Sequence, residues 1–100
     1  MEAKSISVLL LEDNPGDARL IRELLADTND KFDLQCVDLL SKGLKCLVSQ
    51  NIDAVLLDLG LPDSQGLNTI ESVRATKASI PIIVLTGLDD ESVAIEAVRS

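Results

Sequence analysis

Four short apolar runs constrain this chain more than any other feature. They are Ile6–Leu11, Phe32–Val37, Ala54–Leu57 and Ile80–Leu85. Only Ser7 interrupts the first, and the third is unbroken. The second alternates, with Phe32, Leu34 and Cys36 falling on one face. Pro81 stands at the start of the fourth, where a strand tolerates proline. Runs this short and this apolar are too brief for core helices and read as strands covered on both faces.

Helical patterns fill the intervals. Asn14-Pro15 reads as a helix start, with Asn as N-cap and Pro at the first helical position. Ala18, Ile21 and Leu25 then share a stripe, with Leu24 beside it, while Arg19, Arg22, Glu23 and Asp27 take the other faces. Ser41 is positioned to cap a second helix that turns Leu44, Leu47 and Val48 inward. A third begins near Gly66, with Leu67, Ile70 and Val73 at helical spacing. A fourth is expected from the acids Asp89, Asp90 and Glu91, which suit a helix N-terminus, with Ala94, Ala97 and Val98 inward. Strand and helix alternating four times predict an α/β domain, a parallel sheet with helices on both faces. Right-handed crossovers leave few topologies for it. At 100 residues the chain holds one domain, 1–100.

Composition removes several function classes. The net charge of −8 disfavours direct nucleic-acid binding, and a single aromatic, Phe32, leaves no stacking platform for bases or flavin rings. The chain contains no histidine, which removes imidazole acid–base chemistry and His-ligated metals. Cys36 and Cys46, with nine residues between them, match neither a redox nor a zinc spacing and read as reduced core residues. No run approaches the ~20 apolar residues of a membrane span, and the N-terminal MEAKSISVLLLED has no signal-cleavage pattern. A soluble cytoplasmic protein without membrane contact is expected.

The polar residues at the strand ends carry the chemistry. The first strand ends in Glu12-Asp13, the third in Asp58, the fourth in Thr86-Gly87. Open α/β sheets bind ligands at the carboxyl ends of their strands, near the switch in strand order. In a 2-1-3-4 order the first and third strands are neighbours there, and Glu12, Asp13 and Asp58 converge with Thr86 alongside. Three crowded carboxylates raise one another's pKa unless a cation intervenes. Mg²⁺, which prefers oxygen ligands and keeps several waters, resolves the conflict. One carboxylate is then available as a nucleophile toward a phosphoryl group, with the Thr86 hydroxyl bonding a phosphoryl oxygen. Pro62 and Gly66 shape the loop after Asp58, and that loop can lend the Gly60 carbonyl to the cation. Singly, each residue is ordinary: acids before a helix offset its dipole, and a strand-end Thr satisfies its own hydroxyl. Their arrival at one end of adjacent strands is what carries weight. Asp53, Asp63, Asp89 and Asp90 read as solvated turn or cap residues.

Three segments together resemble a response-regulator receiver domain of two-component signalling. VLLLEDNPGDARLIRELL resembles its opening, DAVLLDLGLPDSQGL its phosphoacceptor segment in the pattern D-x-x-L-P-x-x-x-G, and IPIIVLTG its fourth strand. The resemblance implies a flavodoxin-like fold. It makes Asp58 the phosphoacceptor, and it places Mg²⁺ on Asp13, Asp58 and the Gly60 carbonyl, with Glu12 holding the metal through water. Thr86 would contact the phosphoryl group and report it to the surface, and Gly87 would keep the site open. The implied donor is a phosphohistidine on a sensor histidine kinase or a histidine phosphotransfer protein. Transfer and hydrolysis would be self-catalysed, with no separate substrate turned over.

The family's fifth strand, its terminal lysine and its fifth helix have no counterpart here, since no lysine follows Lys77. A fourth strand left as an open edge is then expected to self-associate, and phosphoryl uptake is expected to be slow or undetectable without that lysine. Among rivals, a dehalogenase-type phosphatase needs a second Asp where Gly60 stands. A flavodoxin's phosphate loop would be repelled by Glu12-Asp13. The alternative from another class is a receiver-like interaction module, or an inactive fragment, that is not phosphorylated.

Overall fold

The computed structural model describes residues 5–28, 31–86 and 94–98, with the backbone alone for Gln65, Thr86 and 94–98. In chain order the elements are β1 (Ile6–Leu11), α1 (Pro15–Ala26), β2 (Phe32–Val37), α2 (Leu40–Ser49), β3 (Ala54–Asp58), β4 (Gly60–Leu61), β5 (Ser64–Gln65), α3 (Leu67–Thr76), β6 (Ile82–Thr86) and β7 (Ala94–Val98). One sheet runs β2-β1-β3-β6-β7, and β4-β5 is a separate two-stranded hairpin. The pairs β1–β2, β1–β3 and β3–β6 are parallel, so the four apolar runs occupy the 2-1-3-4 order of a flavodoxin-like sheet.

The central strand explains why the runs are unbroken. Leu9, Leu10 and Leu11 of β1 are all fully buried, but toward different layers. Leu9 and Leu11 join the cluster built from Leu40, Leu47, Leu57 and Val73, which lies under α2 and α3. Leu10 faces the other way, into a smaller cluster with Ile21 of α1 and Leu85. Burying each such leucine contributes about 1.5–3 kcal/mol, so a polar residue on either face of β1 would be costly. α2 approaches β1 closely at Gly43, where a Cβ would stand 2.6 Å from Cδ2 of Leu11.

Caps and stripes refine the expected helices. Asn14 caps α1 as its sequence suggests, its side chain accepting from the amides of Gly16 at 2.8 Å and Asp17 at 3.1 Å. α2 differs. It starts at Leu40, after an N-cap Leu39 that offers no side-chain bond, so Ser41 lies inside the first turn and does not cap. Val48 is 78% exposed rather than inward, because the stripe facing β1 is centred on Gly43 and Leu47. Leu67, at the first position of α3, is 72% exposed, whereas Ile70 and Val73 do face the core.

The segment expected as a fourth helix is the main departure. Asp89, Asp90 and Glu91, its expected start, lie outside the described residues. Positions 94–98, carrying its expected inward Ala94, Ala97 and Val98, form strand β7, antiparallel to β6 from Thr86↔Ala94 to Ile82↔Val98. The physical reason is backbone satisfaction. An apolar strand with one free side presents a row of unpaired N–H and C=O groups, and a segment containing β-branched Ile95 and Val98 pairs with it. β6 is therefore flanked on both sides, and the self-association expected through it loses its open edge.

Candidate functional site

The loops after β1 and β3 build the site from opposite sides of one strand pair. Register places Leu11 beside Leu57, so the next residues, Glu12 and Asp58, emerge together at the carboxyl end of the sheet. The Glu12 amide continues the ladder, donating to the Val37 carbonyl at 3.0 Å. Its side chain turns under the start of α1, where Oε2 accepts from the Asn14 amide at 3.2 Å. Glu12 is only 4% exposed. Asp13 is exposed and Asp58 half-buried. One carboxylate oxygen from each of the three residues lies within 4.8 Å of the others.

The electrostatics follow from that crowding. Glu12 is pushed up to about 8, first by burial, then by its hydrogen bond with the Asp58 carboxyl and by the charges of Asp58 and Asp17; the Asn14 amide pulls the other way. Burial disfavours the charged form, so Glu12 holds a proton at neutral pH. Three oxygen donors with nothing softer among them are a donor set for a hard divalent ion such as Mg²⁺. A cleft of about 310 Å³ opens beside the cluster, lined by Glu12, Asp13, Pro15, Ala18, Asp38 and Lys42. Lys42 is held at its wall by a 2.9 Å ion pair with Asp38. A larger cavity, about 430 Å³, lies elsewhere, beside Ser5, Arg22 and Phe32. Among the described residues that line it there is no carboxylate.

The hairpin β4–β5 forms the floor on the Asp58 side. Gly60 pairs with Gln65 and Leu61 with Ser64, across a Pro62-Asp63 turn. The Gly60 amide donates to Oδ1 of Asp58 at 3.0 Å. Leu61 is fully buried in the larger cluster and anchors the hairpin. Gly66 closes it with φ +66, a left-handed conformation that favours glycine, and its amide donates to the Leu59 carbonyl at 2.8 Å.

Of the other expected residues, Thr86 ends β6 at this edge, one position beyond the Asp58↔Leu85 pair. Its side chain and the whole of Gly87 lie outside the described residues. Lys77 is remote: its Nζ donates to the Ile52 carbonyl at 3.3 Å, ahead of β3. Two of the aspartates read as solvated turn or cap residues are indeed exposed, and they also bond across the fold. Asp53 exchanges bonds with Ser7, accepting its amide at 2.7 Å and donating to its carbonyl at 2.8 Å. Asp63 accepts two amides of α2. Both act over long sequence separations, and no local pattern announces such a bond. Among the described residues, no helix is long and apolar enough to cross a membrane.

Comparison with known proteins gives a consistent result. The family model of the response regulator receiver domain matches residues 8–100. The cell cycle transcriptional regulator CtrA of Caulobacter vibrioides is 34% identical over 80 residues, covering 80% of this chain and 34% of that protein. The chain thus spans about a third of the length of the curated relatives it matches. Among solved structures, the receiver domain of sensor histidine kinase PA1611 from Pseudomonas aeruginosa, with a magnesium ion coordinated in its active-site cleft, is 26% identical. Its TM-score is 0.74, over 89% of this chain and 73% of that one. The response regulator TrrA in complex with the histidine kinase ThkA is 29% identical with a TM-score of 0.68, covering 82% of this chain and 69% of the matched one.

Proposed function

This chain belongs to the response regulator receiver domain family, and from that premise we infer that it takes a phosphoryl group onto Asp58 from a phosphohistidine. The observation that carries the reading is the meeting of three carboxylate oxygens within 4.8 Å at the ends of two adjacent parallel strands. The donor would belong to a sensor histidine kinase or a histidine phosphotransfer protein, a reading supported by the kinase-bound relative.

In the transfer, a carboxylate oxygen of Asp58 attacks phosphorus. The new bond is Asp58 O–P, the bond broken is histidine N–P, and the electron pair remains with the departing imidazole nitrogen. Asp58 suits the nucleophile's role because it is half-buried at the end of β3 and so partly accessible, whereas Glu12 is buried. Asp13, Asp58 and the Gly60 carbonyl would hold Mg²⁺ directly and Glu12 through water. The bound cation would neutralise charge on the phosphoryl oxygens. Thr86, at the same edge, would bond a phosphoryl oxygen and relay its presence, and Gly87 would leave room for the donor.

The test is intact mass after incubation with acetyl phosphate and Mg²⁺. The expected result is one labile phosphoryl group, absent from Asp58→Asn. Label retained at full level in Asp58→Asn would assign the acceptor to another residue. No label in the unsubstituted chain under any donor would favour an interaction module that is not phosphorylated.

A further inference from the structure

Asp63 sits in the turn of the β4–β5 hairpin, yet its partners lie on another element. Oδ1 accepts the Leu40 amide at 2.7 Å and Oδ2 the Ser41 amide at 3.0 Å. These are free amides of the first turn of α2, which its own N-cap residue, Leu39, leaves without a side-chain partner. Both carboxylate oxygens are thus committed, and the bonds hold the Asp63 carboxyl below its ordinary value, Ser41 contributing most and Leu40 next. Charge-assisted bonds of this kind are roughly twice as strong as neutral ones.

The hairpin that carries Asp63 is small. Two residue pairs form its ladder, and a ribbon that short is not stable unaided. Among the described residues, three contacts hold it. Leu61 is buried in the core. Ser64 and the buried Thr69 share a 2.7 Å hydroxyl bond at the start of α3. The third is Asp63 on α2. The first residue of the same hairpin, Gly60, donates its amide to Oδ1 of Asp58. A continuous path therefore runs from the N-terminus of α2 through Asp63 and the hairpin to the Asp58 carboxylate.

We propose that Asp63 is a positioning residue for the acidic site: by clamping the hairpin to the first turn of α2, it sets the Gly60 amide against Asp58 and so fixes the carboxylate that faces Glu12 and Asp13. The consequence for metal binding rests on the reading of the acidic cluster given above; the consequence for the Gly60 amide does not. The plain alternative is that Asp63 only caps α2.

A re-capped variant separates the two. Leu39 already has extended backbone angles, φ −134 and ψ 146, so Leu39→Ser gives α2 a cap from its own chain. Four proteins are compared: the unsubstituted chain, Asp63→Asn, Asp63→Ala, and Asp63→Ala combined with Leu39→Ser. Three quantities are read: thermal midpoint, chemical shift and exchange rate of the Gly60 amide without metal, and Mg²⁺ affinity by titration. Asp63→Ala is expected to lower the midpoint, move the Gly60 amide and speed its exchange, and weaken Mg²⁺ by about tenfold, the lower end of what outer partners of metal ligands contribute. Leu39→Ser should restore the midpoint and leave the other two readings displaced. Asp63→Asn, which keeps one acceptor oxygen, should fall between and serves if Asp63→Ala does not fold. An unmoved Gly60 amide in the Asp63 variants, or its recovery together with the midpoint on re-capping, would overturn the proposal. If the unsubstituted chain binds no Mg²⁺, the reading of the acidic cluster fails, while the Gly60 amide still decides the role of Asp63.

Discussion

Glu12 illustrates what one buried carboxylate does to a whole stability profile. In the folded chain it titrates near 8, against an ordinary value of 4.5. Between those values the folded state binds more protons than the unfolded one, so stability falls as pH rises. The contribution is complete below 4.5 and lost as pH passes through about 8. Asp38 and Asp63 are shifted downward, by the Lys42 hydrogen bond and by α2 amides respectively. Their contribution has the opposite sign, present above the ordinary 3.8 and lost in more acid solution, so it does not overlap the Glu12 window. Stability without divalent ions should therefore decline from pH 5 to pH 8, by on the order of a few kcal/mol at most, and thermal melts should show the midpoint falling over that range. Glu12→Gln should flatten that decline, and Mg²⁺ should raise the midpoint more at pH 8 than at pH 5, since cation and proton compete for the same oxygens. A slope unchanged in Glu12→Gln would assign the proton to another group. The convergence of Glu12, Asp13 and Asp58 was legible in the sequence because the Glu12-Asp13 pair and Asp58 each directly follow an apolar run, and parallel register brings run ends together. Asp53 and Asp63 were not, because their partners, Ser7 and the Leu40 and Ser41 amides, stand 46, 23 and 22 positions away.

At the scale of elements, helix starts divide by whether the cap is local. α1 carries its own signal, Asn14 followed by Pro15, and the side chain makes both expected bonds. Asn14→Ala should cost about 1 kcal/mol. Urea denaturation should show a lower midpoint with an unchanged slope, and an unaltered midpoint would mean that water replaces the cap without loss. α2 carries no such signal, since its cap comes from the hairpin, and sequence reasoning fell back on the nearest hydroxyl, Ser41. The segment 94–98 shows a different limit. Acids followed by alanines at helical spacing favour a helix locally, but propensities of a few tenths of a kcal/mol per residue are small beside a row of unpaired backbone groups along β6. Pairing with the strand just before it competes with that local helix, and helical spacing within 89–98 alone does not reveal the competition.

Across the molecule, the order of the four parallel strands was readable because both-face burial leaves an unbroken apolar signature. The unequal thickness of the layers was not. The cluster beneath α2 and α3 joins Leu9, Leu11, Leu40, Leu47, Val55, Leu57, Leu61 and Val73 with several more. Among the described residues, the buried members of the cluster beneath α1 are Leu10, Ile21 and Leu85. By that measure α1 is fastened by less buried apolar surface than the helices opposite, and regions with few buried contacts open first. A trypsin time course should nick the chain at Arg19 and Arg22 well before Lys42 and Lys45, although all four stand on helices. Glu12 and Asp13 lie immediately ahead of α1, so a divalent ion bridging them to Asp58 would staple the start of α1 to the end of β3. Protection of Arg19 and Arg22 by Mg²⁺ would then report occupancy of the acidic site from the middle of a helix that touches no metal.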